Sequence, residues 1–420
     1  MMKRFDKVMS LVMVSAIAVS LLAGCGNSDA GAQADNAASE TNNEAAASET
    51  DTTEADDNSA AADSTASGAF KIGGIGPTTG SAAVYGVAVQ NAAQLAVDEI
   101  NAAGGINGVS IEFKFEDDEC DAEKSVNAYN TLKDWGMQML MGTVTSGCSV
   151  AVAEKTSGDN MFQLTPSGSS VDCVKYDNAF RVCFSDPNQG AASAQYIGEN
   201  SVASSVAVIY DSSDIYSSGI YEKFVSEAAN QPFEIVSAEA FTADNKTDFS
   251  VQLQKAKDAG AELVFLPIYY TEASLILSQA STMGYEPIFF GCDGLDGILN
   301  VQNFDTSLAE GVMLLTPFAA DAEDELTQKF VTAYKEKFGD TPNQFAADAY
   351  DAIYAIKAAG EKAGITPDMD MSTMCEAMKT AMTEITLDGL TGVGMTWDAS
   401  GEPNKAPKAV KITDGVYTAM

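Results

Sequence analysis

The chain has 420 residues, more than one compact core usually holds, so two domains are expected. Its formal net charge of −37 argues against a nucleic-acid partner, because DNA and RNA phosphates are bound by Lys and Arg. The chain contains no histidine, which excludes Ser-His-Asp and Cys-His catalysis and zinc sites with histidine ligands.

Residues 1–24 have the pattern of an export signal. Basic residues precede an apolar run over residues 8–23, which is short for a membrane span. The run ends in Leu22-Ala23-Gly24-Cys25, which resembles the bacterial lipobox. That resemblance implies cleavage before Cys25 and lipidation of its sulfur, which would anchor the chain to the membrane outside the cytoplasm. A plain signal peptide and an uncleaved anchor are the alternatives.

Residues 25–68 are expected to form a disordered acidic tether. Beyond Cys25 the segment is made of small, polar and acidic residues, with no Lys, Arg or aromatic residue. Such a composition buries too little apolar surface to order the chain. A series of marginal helices is the alternative, because Ala and Glu favour helix. No later run approaches the ~20 apolar residues of a membrane helix.

From residue 70 onward, short apolar runs alternate with amphipathic stretches. Strands are predicted at residues 70–76, 109–115, 138–142, 161–164, 205–210, 234–240, 262–267, 287–291 and 312–316. Helices are predicted at residues 85–103, 122–135, 149–157, 188–200, 217–230, 248–259 and 271–284. The alternation predicts an α/β fold of parallel sheets with helices on both faces. The strands are apolar throughout, as expected when both faces of a sheet are covered.

The pattern changes after residue 316. Helices are predicted at residues 323–338, 343–363 and 372–384, followed by strands at residues 392–397 and 408–413. A chain that leaves one sheet, builds a second and then returns would form two lobes joined by several crossings. The pattern therefore predicts an α/β protein with two sheets.

An ordered set of motifs runs through residues 70–413. It comprises Ile72-Gly73-Gly74-Ile75-Gly76-Pro77-Thr78-Thr79-Gly80, Tyr85-Gly86, Ala96-Val97-Asp98-Glu99-Ile100-Asn101, Glu116-Asp117-Asp118-Glu119-Cys120, Thr165-Pro166-Ser167-Gly168-Ser169-Ser170, Asp186-Pro187-Asn188-Gln189-Gly190 and Tyr350-Asp351-Ala352. Each motif alone is unspecific. The ordered set resembles the branched-chain amino-acid-binding proteins of ABC transporters, which have the type I periplasmic-binding fold.

The resemblance implies two doubly wound lobes, joined by three hinge crossings, with a ligand cleft between them. Lobe 1 is expected to comprise residues 70–187 and 317–389, and lobe 2 residues 188–316 and 390–420. The crossings are expected near residues 185–189, between 296 and 318, and near 389–391. The helices after residue 323 are expected to cover the first lobe.

The resemblance also implies a function. The chain would capture a free amino acid, branched-chain or otherwise aliphatic, and deliver it to an ABC transporter permease as a monomer, with no cofactor and no catalysis. A ligand-sensing co-receptor of the same fold and binding of a related small carboxylate or amide are the alternatives. An enzyme is disfavoured, because no nucleophile–base pair is visible and Gly73-Gly74-Ile75-Gly76 lacks the full GxGxxG spacing.

A zwitterionic amino acid needs hydrogen-bond donors for its carboxylate and acceptors for its ammonium group. Ser146 lies between a predicted strand and a predicted helix, where its amide and hydroxyl would face the carboxylate. An ordinary helix N-cap is the alternative. The resemblance places the carbonyl of Gly168 at the ammonium group and Ser169 near both charged groups. Family members usually have Ala and Thr here, so the lost methyl group would widen the pocket.

Glu272 is the anionic partner that the resemblance implies for the ammonium group. It opens a predicted helix, where a glutamate that stabilises the helix dipole is the alternative. Tyr85 and Tyr216 align with aromatic residues from opposite lobes and would clamp the ligand side chain, with core or rim packing as the alternative. Asp293 and Asp296, in a Gly-rich loop, are further candidates.

Six of the seven cysteines lie beyond Cys25, in a domain whose export would permit disulfides. Cys173 and Cys183 flank a loop that they could bridge. The resemblance pairs Cys120 with the position of Thr145, for which Cys148 would substitute. The connectivity stays open. No metal site is expected, because CxxC and EF-hand spacings are both missing.

Overall fold

The computed structural model describes residues 68–420. Cys25, the predicted signal peptide and the predicted tether up to residue 67 lie outside the described residues. Two separate sheets, flanked by helices, make up the part that is described. No helix in residues 68–420 combines the length and apolar character that a membrane span requires.

The first sheet is built from the N-terminal part of the described chain. Its strands are β1 (Phe70–Gly76), β2 (Ile111–Asp117), β3 (Met139–Gly142), β4 (Phe162–Thr165) and β5 (Ala179–Arg181), connected through α1 (Ala83–Ala102), α2 (Ala122–Trp135) and α3 (Ser146–Asp159). All pairs are parallel, in the order β2-β1-β3-β4-β5. Their carboxyl ends therefore meet at one edge, where ligands of doubly wound folds bind.

Local signals explain where these helices lie. Asp121 caps α2 by accepting hydrogen bonds from the amides of Glu123 and Lys124, and α2 ends at Gly136 with a φ of 92°. Helix α1 approaches the turn after β1 so closely that a Cβ at Gly86 would lie 1.9 Å from the carbonyl oxygen of Pro77. That contact explains a glycine inside a helix.

The second sheet has seven strands. The chain passes through α4 (Asp186–Glu199), β6 (Ser205–Asp211), α5 (Ile215–Ala228), β7 (Glu234–Phe241), α6 (Ser250–Asp258), β8 (Leu263–Leu266), α7 (Tyr270–Thr282), β9 (Ile288–Gly291) and β10 (Met313–Thr316). The later strands of this sheet follow α8 (Glu325–Phe338), α9 (Gln344–Ala363) and α10 (Met371–Met382), and are β11 (Lys408–Thr413) and β12 (Val416–Ala419). The strand order is β12-β11-β10-β9-β8-β6-β7. In this sheet β11 pairs antiparallel with both β10 and β12, and the other strand pairs are parallel.

Helices α8 and α9 return to the first sheet. Both pack against α1, and α9 also contacts β3 and β4. The hydroxyl groups of Tyr350 and Tyr354 on α9 donate to Oε2 of Glu99 on α1, at 2.5 and 3.0 Å. These helices therefore cover the first sheet, although they follow the second sheet in sequence.

The segment between α10 and β11 also contacts the first sheet. The indole N–H of Trp397 donates to the carbonyl oxygen of Arg181 on β5 (2.6 Å), and Lys405 pairs with Asp348 on α9. The backbone amides of Leu390 and Thr391 donate to the carboxylate of Asp351 on α9. We therefore propose that the third crossing lies at residues 406–407, rather than near residues 389–391.

Most predicted elements are observed within about two residues of their predicted bounds, and α3 and β11 illustrate the range. Helix α3 begins three residues before the predicted start at residue 149. Strand β11 has the predicted bounds, residues 408–413. The prediction of a strand at residues 392–397 is wrong. Met395 forms only an isolated bridge with Leu387, and Trp397 forms one with Pro403. Strands β5 and β12 were not predicted; both are short.

Candidate functional site

Two serines predicted for the ligand carboxylate lie together at the carboxyl edge of the first sheet. Ser146 is the first residue of α3, directly after β3, and Ser169 follows the neighbouring strand β4. Their hydroxyl oxygens are 3.4 Å apart. Ser146 Oγ also accepts hydrogen bonds from the backbone amides of Ser169 and Ser170, both at 3.2 Å. Ser146 therefore links the turn after β3 to the turn after β4.

Aromatic side chains from four elements surround these hydroxyls. Tyr85 lies on α1, Tyr216 on α5, Tyr269 immediately before α7 and Phe345 on α9. The Tyr85 ring lies 4.1 Å from that of Phe345 and 5.7 Å from that of Tyr269, and Tyr216 stacks on Tyr269 at 5.0 Å. The rings therefore come from both sides of the cleft.

Hydrogen bonds across the cleft hold the two lobes together. The Tyr85 hydroxyl donates to the carbonyl oxygen of Gly294 (2.5 Å) and accepts from the amide of Tyr270 (3.3 Å). The Gln344 side chain on α9 donates to the carbonyl oxygen of Asp293 (2.9 Å). The described conformation is therefore the closed one.

A narrow cavity lies between the lobes. Its lining residues are Tyr85, Val144, Thr145, Ser146, Ser167, Ser169, Tyr216, Tyr269, Asp293, Gly294 and Phe345. Hereafter this space is the serine cavity.

Glu272 lines a second cavity beside the first. This cavity is lined by Ser81, Cys120, Asp211, Ser213, Asp214, Tyr216, Ser217, Phe241, Ala243, Lys246, Ile268, Tyr269 and Glu272. Tyr216 and Tyr269 line both cavities and thus separate them. The Glu272 carboxylate lies 3.2 Å from the ammonium nitrogen of Lys246. The closed structure therefore does not bring Glu272 together with Ser146 and Ser169.

Gly168 lies behind the serine cavity rather than on its wall. Its carbonyl oxygen accepts a hydrogen bond from Nη1 of Arg181 (3.1 Å). A Cβ at Gly168 would lie 2.5 Å from Ser149 Oγ and 2.8 Å from Thr165 Oγ1. The absence of a methyl group at Gly168 thus allows close packing of the turn against α3.

All six described cysteines are free thiols. The bridges considered for Cys173 with Cys183 and for Cys120 with Cys148 are absent in residues 68–420. Instead, Cys173 Sγ donates to the carbonyl oxygen of Ser146 (3.7 Å), and Cys120 Sγ donates to Thr145 Oγ1 (3.6 Å). The thiols fill space beside the site. The described residues also form no cluster of metal-ligating side chains.

Buried acids lie beside the serine cavity. Burial raises the pKa of Asp293 to about 7, although the Tyr216 hydroxyl donates to its Oδ1 at 2.7 Å. Burial also raises the pKa of Asp186 well above its usual range, and neither oxygen of that carboxylate has a hydrogen-bond partner among the described residues. Desolvation is therefore the largest influence on both acids.

Sequence reasoning missed Tyr269 and Phe345. Tyr269 follows β8 at the carboxyl edge of the second sheet, a position that could have marked it. Phe345 lies on α9 and reaches the cavity only because α9 packs on the first sheet, which no local pattern reveals. Asp296, a further candidate, lies outside both cavities and accepts a hydrogen bond from the Gln344 amide (2.8 Å).

Curated relatives resemble this chain over most of their length. A Leu/Ile/Val-binding protein homolog 3 from Brucella melitensis is 32% identical over 314 residues, which are 73% of this chain and 82% of that protein. A leucine-, isoleucine-, valine-, threonine- and alanine-binding protein from Pseudomonas aeruginosa is 28% identical, over 75% of this chain and 83% of the relative.

Solved structures show the same fold. The branched-chain amino acid transporter substrate-binding protein LivJ from Streptococcus pneumoniae, in complex with isoleucine, is 29% identical with a TM-score of 0.76. That match covers 84% of this chain and 98% of the other. A leucine-binding protein LivK from Thermotoga maritima is 25% identical with a TM-score of 0.74, over 84% and 97% of the two chains.

These matches confirm the predicted type I periplasmic-binding fold. They also confirm the interpretation of the chain as a binding protein rather than an enzyme, because that is the nature of the family. The sequence model of the family described as "Periplasmic binding protein" matches residues 69–415, nearly everything that the structure describes. The chain therefore belongs to the periplasmic binding protein family.

Proposed function

We propose that the chain is the extracytoplasmic solute-binding component of an ABC importer and captures a free amino acid between its two lobes. The supporting observation is the serine cavity, where hydroxyls from one lobe face an acid and aromatic rings from the other. The names of the relatives, which bind leucine, isoleucine and valine, favour an aliphatic amino acid. The name of the isoleucine-bound relative, a transporter substrate-binding protein, favours a membrane transporter as the partner, and the proposed partner is the permease of an ABC importer.

The chemistry of an α-amino acid fits this arrangement. Its carboxylate would accept hydrogen bonds from Ser146, Ser169 and the first amides of α3, which have no partner within the helix. Tyr85 and Tyr216 would enclose the side chain. Because the ligand would contact both lobes only when the cleft is shut, binding would favour the closed state.

Titration calorimetry with a panel of free amino acids tests the proposal. We expect saturable binding with one site per chain and a rise in melting temperature, since the ligand binds the folded state alone. Leucine, isoleucine, valine, alanine and the aromatic amino acids form the panel, with the des-amino acids of the same side chains for comparison. Absence of heat and of a thermal shift with every amino acid would contradict the proposal.

Replacement of Ser146 by Ala is expected to weaken amino-acid binding by about 1.5–3 kcal/mol, or roughly 10- to 150-fold, the value of a hydrogen bond to a charged group. Calorimetric titration measures the effect. Ser157→Ala, also on α3 but in its last turn, is the matched control and should bind as the unaltered chain does. Equal affinities of the Ser146 variant and the control would show that Ser146 does not bind the ligand.

We further propose that Cys25 carries the lipid anchor. The supporting observation is the Leu22-Ala23-Gly24-Cys25 motif after an apolar run. A Cys25→Ala variant expressed in a bacterial host should incorporate no radiolabelled palmitate and should no longer sediment with membranes. A Cys375→Ala variant, which alters a buried thiol of the folded domain, is the control and should be labelled normally. Labelling of the Cys25 variant would refute the anchor.

A further inference from the structure

A third concave site lies beside the connection from β10 to α8, and it shares no lining residue with the serine cavity or the second cavity. One wall comes from the segment after β9 and from the β11–β12 hairpin. The other wall comes from the segment after β10, from α8 and from the loop between α8 and α9. Hereafter this site is the hinge groove, and its lining includes Asp296, Phe318, Val331, Lys335, Asp340 and Tyr417.

The floor of the hinge groove is apolar. Phe318 and Val331 are each 6% exposed, Leu299 and Tyr417 are partly buried, and Val416 is 54% exposed at the rim. Small-molecule sites are typically concave and mostly apolar, with a few polar groups that fix the orientation of the ligand. Aromatic faces such as those of Phe318 and Tyr417 also attract cations. The hinge groove therefore has the composition of a ligand site.

Acidic residues outnumber basic residues in the hinge groove. Three carboxylates line it, those of Asp296, Asp321 and Asp340, whereas Lys335 is the one basic residue in its lining. None of these four residues takes part in an ion pair within residues 68–420. A concave surface lined by an excess of one charge attracts ligands of the opposite charge. The charges of the groove therefore favour a cation.

Asp296 is the buried acid of the hinge groove, with 4% of its surface exposed. Its Oδ2 accepts a hydrogen bond from the Gln344 amide (2.8 Å), whereas Oδ1 has no hydrogen-bond partner within residues 68–420. The Tyr417 hydroxyl lies beside this carboxylate and accepts the amide proton of Gly297 (3.1 Å). A buried carboxylate oxygen without a donor is costly, and an incoming ammonium group would relieve that cost.

We infer that the hinge groove is a second binding site, which takes a small organic cation with its ammonium group at Asp296 and its apolar body on Phe318 and Val331. Asp321 and Asp340 lie exposed on the same groove and would attract the cation to it. An organic cation fits better than a metal ion, because the described residues form no cluster of metal-ligating side chains. The inference goes beyond the proposed function and does not depend on it.

Titration calorimetry with benzylamine at pH 8 tests the inference. Benzylamine is a cation at this pH and offers an aromatic body for the apolar floor. We expect saturable binding of one molecule per chain with a dissociation constant at or below about 1 mM, an affinity within reach of a ligand of this size. Benzyl alcohol, a neutral molecule of nearly the same shape, should bind at least about tenfold more weakly. Equal affinities for the two molecules would contradict the role of the acid.

Two variants change the charge of the groove in opposite directions. Asp296→Asn should weaken benzylamine binding at least about tenfold, the effect of losing a hydrogen bond between charged groups. Lys335→Met removes an exposed cation and should strengthen binding by about two- to fivefold. Asp258→Asn removes an exposed acid at the end of α6, outside the lining of the groove, and is the control with unchanged affinity.

The affinity for benzylamine should also follow the ionisation of Asp296. Burial raises the pKa of this acid to about 6, and the titratable groups that face it are Tyr417 on β12 and Asp348 on α9, which is paired with Lys405. A bound ammonium group favours the ionised carboxylate. Affinity is therefore full well above pH 6 and falls as the pH drops through 6, by up to about tenfold per unit. Asp296→Asn should lose this dependence.

The outcomes of these titrations decide the inference. Absence of saturable benzylamine binding, or full affinity in Asp296→Asn, would overturn it, because the cation would then bind elsewhere or not at all. Thermal unfolding shows whether the Asn variant is folded. If it is not, Lys335→Met decides, because its exposed side chain has no ion pair in the described part of the chain, and unchanged or weaker binding by this variant would refute the site. Failure here leaves amino-acid binding at the serine cavity untouched, since the two sites share no lining residue.

Discussion

Replacement of Lys405 by Met is expected to lower the free energy of unfolding by about 3–5 kcal/mol at pH 8, the effect of removing one member of a buried ion pair. The Lys405 side chain is 2% exposed and that of Asp348 is 3% exposed. The Lys405 ammonium nitrogen lies 2.8 Å from Asp348 and also donates to Thr391 Oγ1. Met would fill similar volume but leave Asp348 buried without a cation. Chemical denaturation measures the loss.

The loss should be smaller at pH 5. Without Lys405, folding must protonate Asp348, whose pKa burial already raises in the unaltered chain. An acid whose pKa is higher in the folded state destabilises the fold increasingly as the pH rises above its unfolded value. Lys362→Met is the control, because Lys362 and Glu384 are about half exposed and their pair contributes no more than about 1 kcal/mol. Equal losses for both variants would contradict this account.

Replacement of Arg181 by Met is expected to cost about 3 kcal/mol of stability and to weaken ligand binding as well. The fully buried guanidinium donates to the carbonyl oxygens of Gly168 (3.1 Å) and Ser170 (3.0 Å), on either side of Ser169. It also pairs with Glu402 at 3.0 Å. Without it both carbonyls lose their donor, and the turn that carries Ser169 loses its support. Glu402 is 31% exposed and can be hydrated, which limits the loss.

Arg181→Lys is the informative companion variant. It keeps the positive charge near Glu402 but cannot donate to both carbonyl oxygens with the fixed fork of a guanidinium. We therefore expect stability between those of the unaltered chain and the Met variant, with binding still weakened. Calorimetry and thermal unfolding on the same samples measure both. Full affinity in either variant would show that Ser169 does not depend on Arg181.

The sequence predicted the parts of the site that lie at strand ends. Ser146 and Ser169 follow β3 and β4, which are neighbours in a parallel sheet, so their predicted proximity follows from topology. Tyr85 and Tyr216 lie in the first turns of α1 and α5, which follow β1 in the first sheet and β6 in the second sheet. The family resemblance assigned these residues to the site, and periodicity placed each of them at its own strand–helix turn.

Contacts between distant segments were beyond the sequence pattern. Lys246 lies in the loop between β7 and α6, and no periodicity indicates that it pairs with Glu272. The predicted strand at residues 392–397 is apolar because Met395 and Trp397 pack inward, and Trp397 donates to the Arg181 carbonyl oxygen instead of joining a ladder. Tertiary contacts thus determine both the Lys246–Glu272 pair and the absence of a strand at residues 392–397.

A crystal structure of the chain with the amino acid that binds most tightly would show whether the serine cavity is the ligand site. We expect one ligand inside the serine cavity, with its carboxylate within hydrogen-bond distance of the Ser146 and Ser169 hydroxyls and both lobes in contact with it. A ligand bound elsewhere, or one whose carboxylate faces away from both serines, would contradict it.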